Sequence, residues 1–237
     1  MLQETGILIA TAASIGFLHT LLGPDHYLPF IVMSRARNWT VARALWITAA
    51  CGVGHVASSV MLGLVGVMLG IGVNRLVDVE SVRGGIAAWL LIGFGLAYML
   101  WGIRKAIRNR PHSHPHMHTN GSPHNHVHVH DTEHAHLHEE AGRGKLTPWV
   151  LFLIFVLGPC EPLIPLLMYP AAENSMAGVV AVAGVFSVVT VFTMTALVWL
   201  GFTGIRFLPL GKLERYMHAL AGGIIFLSGI GIRFLGL

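Results

Sequence analysis

The sequence predicts an all-α integral membrane protein with six transmembrane helices, arranged as two inverted three-helix repeats. Three observations predict this fold. Hydrophobic residues make up 54% of the 237 residues and charged residues only 11%, whereas a soluble domain carries about 25% charged residues. Six apolar segments are long enough to cross a bilayer. A Leu-Gly-Pro element at residues 22–24, in the first segment, recurs at residues 157–159, in the fourth.

Short polar turns and one long polar insert separate the apolar segments. The first segment is too long for one straight span, and we expect it to be one helix broken at Gly23-Pro24, because proline removes a backbone donor and crowds the preceding turn. By the repeat, the fourth helix is broken in the same way. Residues 71–83, which include Arg75 and Glu80, are predicted to form a turn. The six segments cover residues 5–33, 41–70, 84–104, 147–169, 176–204 and 213–235.

The predicted organisation has two membrane domains and one loop between them. Residues 1–104 form the first repeat and residues 147–237 form the second. Residues 105–146 form a polar loop that is too poor in apolar residues to offset the entropy of ordering, so we expect it to be disordered. Three helices per repeat is an odd number, so the two repeats would enter the membrane in opposite directions. Inverted repeats with broken helices are typical of secondary transporters.

Positive charges are concentrated in alternate connections between the segments. Twelve of the fifteen Lys and Arg residues lie in connections one-two, three-four and five-six, and the other three are Arg75, Arg83 and Arg233. Because positive residues stay in the cytoplasm, we expect a multi-pass protein of the cytoplasmic membrane with both termini outside and the polar insert inside. The net charge of +4 therefore indicates topology, and we expect no nucleic-acid partner.

Ionisable residues inside the apolar segments mark the candidate site, since such residues are by default functional in a membrane. Asp25 and His26 directly follow the first Gly-Pro, and Cys160 and Glu161 occupy the corresponding places after the second. Imidazole and carboxylate ligands, with one thiolate, suit a divalent transition metal. For three of these residues a packing role is the alternative. The predicted metal ligands are His19, Asp25, His26, His55, Cys160 and Glu161.

The polar insert contains a second set of candidate ligands. Residues 112–138 hold eleven of the fifteen histidines, mostly in a His-x-His pattern. Histidine-rich tracts bind transition metals through neutral imidazole. The loop could capture metal for export, sense excess metal or buffer imported metal. The predicted loop ligands are His112, His114, His116, His118, His124, His126, His128, His130, His134, His136 and His138.

The motif in the first helix resembles that of the nickel/cobalt transporter superfamily, which includes the NiCoT permeases, the RcnA-type exporters and the UreH-like membrane proteins. The resemblance rests on His19 with Asp25-His26, on Gly54-His55, on Gly158-Pro-Cys-Glu161 and on the histidine-rich loop. It implies that His19, Asp25 and His26 select and transport the metal. The family's permease signature has four residues between the first histidine and Asp-His, whereas this chain has five.

The Gly-Pro-Cys element also resembles the transmembrane electron carriers of the CcdA/DsbD type. Those carriers need two cysteines at equivalent positions of the repeat, and here the residue equivalent to Cys160 is Asp25. This departure disfavours a dithiol relay, but a pair formed by Cys51 and Cys160 stays open.

The predicted function is secondary transport of Ni(II) or Co(II), with Zn(II) as an option, in the direction of efflux and with exchange for protons. The alternatives are a nickel/cobalt uptake permease, a transmembrane thiol redox carrier, and a metal-delivery or sensing protein. No hydrolytic or group-transfer triad is visible, so we expect a protein that is not an enzyme and has no resident cofactor. Expected partners are divalent metal ions and the bilayer, with a second copy of the chain and a metallochaperone as further candidates.

Overall fold

The computed structural model of this protein describes residues 2–108, 112–117, 123–128, 140–206 and 211–235. The helices are α1 (Leu2–Leu22), α2 (Leu28–Ala36), α3 (Val41–Met68), α4 (Val73–Arg108), α5 (Glu140–Leu157), α6 (Leu163–Ala172), α7 (Met176–Arg206) and α8 (Met217–Ile230). Short helical turns also cover Pro24–His26, Gly211–Tyr216 and Gly231–Leu235. Two strands of the polar insert, β1 (His112–Met117) and β2 (Pro123–His128), pair antiparallel.

The apolar helices are those of a multi-pass membrane protein, as predicted. Within the described residues, four helices are long and apolar enough to cross a membrane, and they correspond to α3, α4, α7 and the region of α8. Gly6–Leu22 and Pro24–Ala36 form a pair bent by 81°, which adds a fifth span if the pair is counted as one. The helices Pro148–Leu157 and Leu163–Ala172 are apolar but short. A total of six spans and the inverted repeat stay predictions.

The chain is broken at both Gly-Pro dipeptides. α1 ends at Leu22, and a 3-10 turn at Pro24–His26 leads into α2. α5 ends at Leu157, and α6 begins only at Leu163. In both places the proline cannot donate the hydrogen bond that would continue the helix. The predicted fourth segment therefore consists of two short helices. We call residues 23–27 the first break and residues 158–162 the second break.

The prediction of a turn at residues 71–83 is wrong. α4 begins at Val73 and continues without interruption for 36 residues. Leu76 and Glu80 are four residues apart, so they lie on one face of the helix, and both are buried. Leu76 packs against Gly66 of α3. The charged residues that read as a polar turn are therefore part of a helix that packs inside the protein.

The polar insert is bounded by helices at both ends. α4 continues to Arg108 and α5 begins at Glu140, so helix extends into both ends of the predicted loop. Disorder stays a prediction for the loop residues outside these helices and the two strands, and five of the predicted loop ligands, His118, His130, His134, His136 and His138, lie outside the described residues. The register of the two strands pairs His112 with His128, His114 with His126 and His116 with His124.

Packing among the helices places the two breaks in the interior. α4 lies along α8, and α7 packs against both α1 and α3. At the α4–α8 contact the backbones approach closely, since a side chain on Gly95 or Gly222 would meet the other helix's main chain. One apolar cluster surrounds Phe30 and Phe155, and a second surrounds Phe186. The breaks contribute residues to this interior.

Candidate metal centre and thiol positions

Three histidines from three parts of the chain meet at the first break. His19 belongs to the last turn of α1, His26 to the turn after Gly23-Pro24, and His55 to the middle of α3. One ligand atom of each histidine lies within 4.8 Å of the other two. Nitrogen ligands of one metal ion, with bonds of about 2.0–2.1 Å, lie about 3 Å apart. Small side-chain rotations would therefore bring the three nitrogens to one ion.

The Nε2 atoms of the three histidines are buried without a hydrogen-bond partner in the described part of the chain. His26 is 4% exposed and His55 is 3% exposed. Most buried polar atoms in native proteins are hydrogen-bonded, and an exception needs an explanation, such as a bound ion. Unpaired imidazole nitrogens are good ligands for Zn, Cu, Fe or Ni.

The first break and the last turn of α5 orient two of these imidazoles. His26 Nδ1 lies 3.1 Å from the carbonyl oxygen of Gly23, and His55 Nδ1 lies 3.2 Å from that of Phe155. A carbonyl oxygen only accepts hydrogen bonds, so each Nδ1 carries the proton and each Nε2 carries the lone pair. Metal-ligating histidines in proteins usually have this arrangement.

Glycine at the first break makes room for the imidazole. A Cβ atom on Gly23 would lie only 2.6 Å from His26 Nδ1, closer than real Cβ contacts. The φ angle of Gly23 is −89°, which any residue adopts, so space rather than backbone conformation requires the glycine. A Cβ atom on Gly158, at the second break, would lie 3.3 Å from His55 Nδ1.

A cavity of about 650 Å³ adjoins the histidines, and all three line it. Asp25 and Glu161 line the same cavity. The Asp25 carboxylate lies 3.3 Å from His26 Nδ1, so it can hold the orientation of the ring through this nitrogen. Another wall of the cavity comes from small residues of α4, namely Ser81, Gly84, Gly85, Ala87 and Ala88.

The two cysteines are not among the residues that line this cavity. Cys160 is fully buried in the cluster around Phe186, and Cys51 is buried in the cluster around Phe155. Both are free thiols. Of the six predicted ligands, the structure therefore groups the three histidines, places Asp25 and Glu161 at the same cavity, and buries Cys160 outside it.

Sequence reasoning missed an ion pair beside the second break. Arg83 Nη1 lies 2.6 Å from Glu80 Oε1, and Glu80 Oε2 accepts a hydrogen bond from the Cys160 amide at 3.2 Å. The available signal was the spacing of three between opposite charges next to an apolar segment. An exposed helical pair has the same spacing, so the sequence alone does not identify this pair as internal.

Comparison with known proteins corrects the resemblance to nickel/cobalt transporters. The family described as "Cytochrome C biogenesis protein transmembrane region" matches residues 28–231. This is not a nickel/cobalt transporter family, so the expectation of such a transporter is wrong. His19, Asp25 and His26 lie before the matched range, whereas His55 and Glu161 lie within it.

Comparison with curated proteins and with solved structures finds no match. The matched residues include both cysteines, His55, the ion pair of α4 and the second break. Because the match covers most of the chain and the apolar helices are of spanning length, this multi-pass membrane protein belongs to the family of cytochrome c biogenesis protein transmembrane regions.

Proposed function

We propose that this protein carries reducing equivalents across the membrane as a thiol redox carrier of the CcdA/DsbD type. The family match supports this function, because the matched range includes Cys51 and Cys160. In one half of the cycle, a dithiol protein on one side of the membrane reduces the carrier disulfide by thiol–disulfide exchange. In the other half, the carrier dithiol reduces a disulfide protein on the opposite side and becomes a disulfide again. Two electrons and two protons are transferred per cycle.

The two thiols are carried by elements that meet at His55. Cys51 lies one turn before His55 on α3, and Gly158, two residues before Cys160, lies against the His55 ring. A disulfide requires Cα atoms about 4.4–6.8 Å apart. Both cysteines are free in this structure, which corresponds to the dithiol form. In the proposed cycle, movement of the second break brings Cys160 to Cys51.

The test uses purified protein in liposomes with a charged, disulfide-bonded reporter peptide trapped inside and a reduced dithiol protein of the thioredoxin class outside. We expect the wild type to reduce the reporter and Cys51→Ser, Cys160→Ser and the double variant to lose this activity. His218→Ala serves as the control, since His218 contacts Tyr98 and Trp101 far along α4 from the second break. Reduction at the wild-type rate by the double variant would overturn the proposal.

The histidine cluster favours a second candidate function, carriage of a divalent transition-metal ion. Its support is the approach of three imidazole ligand atoms to within 4.8 Å beside a cavity. The carboxylates of Asp25 and Glu161 at this cavity would offset part of the unfavourable free energy of bringing a dication into the membrane. The ion would enter through the cavity and bind where the imidazoles meet.

This candidate is tested by the zinc content of purified protein that lacks residues 112–138, so that the histidine-rich insert does not contribute. We expect about one bound Zn(II) per chain, and loss of it in His26→Ala and in His55→Ala. His218→Ala, which removes an imidazole outside the cluster, should retain the zinc. Equal zinc content in all variants would remove this candidate.

The two candidate functions depend on different residues, so one pair of variants tests them separately. The variant without cysteines should bind zinc normally but should not reduce the trapped reporter. The His26→Ala variant should reduce the reporter but should not bind zinc. Measuring both properties on both variants therefore shows whether thiol transfer and zinc binding depend on separate residues.

A further inference from the structure

α4 carries an ion pair inside the protein. Glu80 is fully buried, the Arg83 side chain is 18% exposed, and their closest atoms are 2.6 Å apart. Replacing a buried ion pair by apolar residues is often neutral or stabilising, so stability alone is a weak explanation for such a pair. Its contacts point to another role.

The ion pair binds the backbone at the end of α5 and within the second break. Arg83 Nη2 donates to the carbonyl oxygen of Val156 at 2.9 Å and to that of Gly158 at 3.4 Å. Glu80 Oε2 accepts from the amide of Cys160 at 3.2 Å. A helix end leaves backbone carbonyls and amides without partners, and Arg83 and Glu80 supply partners for both kinds of group.

Arg83 is also connected to His55 by two routes. Its Nη2 donates to Ser58 Oγ at 2.7 Å, and Ser58 Oγ donates to the carbonyl oxygen of His55 at 2.8 Å. Through Val156, Arg83 also holds the residue next to Phe155, whose carbonyl oxygen accepts the hydrogen bond from His55 Nδ1. Arg83 thus restrains both the backbone of His55 and the group that orients its ring.

The first break is held differently. His26 Nδ1 bonds to the carbonyl oxygen of Gly23, and Asp25 contacts the same nitrogen. Both residues belong to the break itself. At the second break the acidic residue, Glu161, is exposed, and the polar partners come from α3 and α4. The geometry of the second half of the site therefore depends on another helix.

We propose that Glu80 and Arg83 are the positioning residues of this site. In this structure, in which both thiols are free, they hold the second break against α4, and through it they set the place of Cys160 and the orientation of His55. Gly84 supports this arrangement, because a Cβ atom there would lie 2.7 Å from Pro159, so the break packs directly on the helix. This inference deepens the proposed thiol carrier but concerns the geometry of the break, which can be measured without any redox partner.

The test measures alkylation of Cys160 by a membrane-permeant maleimide in purified full-length protein. A Cys51→Ser background leaves one thiol, since the chain has two cysteines. We expect Glu80→Gln and Arg83→Gln to raise the alkylation rate about tenfold, as expected for the loss of hydrogen bonds to a charged group. Arg83→Lys, which keeps the charge, should give an intermediate rate.

The matched controls are Asp78→Asn and Arg75→Gln. These two residues carry the same charges at the same spacing of three on the same helix, but both are exposed. Both substitutions should leave the alkylation rate of Cys160 unchanged. Equal rates in Glu80→Gln and Asp78→Asn would overturn the proposal.

Hydrogen exchange of the same variants separates positioning from a general loss of stability. We expect faster exchange confined to residues 156–163, with the exchange of α7 unchanged. Faster exchange of all helices together would show that the ion pair only stabilises the fold, and would overturn the proposal. Failure of the reporter-reduction experiment in liposomes would leave these outcomes unaltered, so the two proposals fail separately.

Discussion

The imidazole rings of His19 and His55 lie parallel, with 6.4 Å between their centroids and 9° between their planes. They belong to α1 and α3, and each of these helices packs against α7. Gly16 and Gly52, each three residues before its histidine, lie in contact with side chains of α7. The spacing of the two imidazoles is therefore set by a third helix.

Gly16→Leu should push α1 away from α7 and separate His19 from the other two imidazoles. A Cβ atom on Gly16 would already lie 3.3 Å from Thr190 Oγ1, and a larger side chain has no room. Overpacking of this kind destabilises a protein by about 1–3 kcal/mol. We expect a lower unfolding temperature and weaker Zn(II) binding in protein without residues 112–138. Gly6→Leu, at a position with no neighbours within 4 Å, is the control and should change neither.

Gly23→Ala should weaken Zn(II) binding while the fold is retained. The added Cβ atom would lie 2.6 Å from His26 Nδ1, so the ring must leave its hydrogen bond to the Gly23 carbonyl oxygen. Loss of such an orienting contact typically lowers metal affinity about 10- to 100-fold. Competition with a chromophoric chelator measures the affinity. The matched change Gly93→Ala, at an open helical position, should leave it unchanged, and equal affinities in the two variants would contradict the role of Gly23.

Asp25→Asn tests the carboxylate behind His26. The carboxylate lies 3.3 Å from His26 Nδ1. Its negative charge attracts the Nδ1 proton, which makes Nε2 of the same ring a stronger metal ligand. We expect Zn(II) affinity to fall about 10- to 100-fold, with no change in thiol transfer. Asp78→Asn, an exposed aspartate of α4, provides the comparison. Unchanged zinc affinity in Asp25→Asn would show that Asp25 does not support the histidine.

The local features of the site could be predicted from the sequence. Gly-Pro dipeptides break helices for a reason internal to the dipeptide, so both breaks lie where they were expected. His19 and His26 are seven residues apart, which would separate them by about 10.5 Å along one face of an unbroken helix, so the break between them is needed to bring their ring centroids to 4.7 Å. These predictions depend only on residues that lie within a few helical turns of one another.

Features that depend on packing could not be predicted in this way. From the sequence, Glu80 and Arg83 are predicted to lie in or next to a polar turn. In the structure their charges are removed from solvent by contact with the second break and the residues just before it, about 75 residues later in the chain, and a local pattern does not contain this contact. The side-chain direction of Cys160 depends on the path of the chain through that break. The resemblance to nickel/cobalt transporters was wrong because it rested on a few short motifs, such as Gly54-His55 and Gly158-Pro-Cys-Glu161, whereas the family match extends over residues 28–231.

Gly222→Ala should destabilise the protein much more than Gly223→Ala. A Cβ atom on Gly222 would clash with the backbone of Met99, whereas one on Gly223 would lie 3.6 Å from the Met99 sulfur, an ordinary contact. Separation of α4 from α8 should cost about 1–3 kcal/mol and lower the unfolding temperature in detergent. The neighbouring glycine controls for helix propensity, because both changes gain about the same from replacing glycine by alanine.

Labelling of introduced cysteines tests the predicted orientation, which rests on charge. Among the described residues, eleven Lys and Arg residues lie at one end of the helices with two carboxylates, Glu140 and Glu214. The other end has three arginines and five carboxylates, Glu4, Asp78, Glu80, Glu161 and Glu173. Positive residues stay in the cytoplasm, so we expect the first end to face inside.

The experiment uses Ala42→Cys and Glu173→Cys, each in a background without the two native cysteines. Both positions are exposed and lie at opposite ends of the helices. In intact cells, a membrane-impermeant maleimide should label the cysteine at position 173 and should reach the one at position 42 only after the membrane is opened. The reverse pattern would invert the topology. Labelling of both cysteines in intact cells would place positions 42 and 173 on the same side of the membrane. The six-span arrangement has an odd number of crossings between these positions, so this result would exclude it.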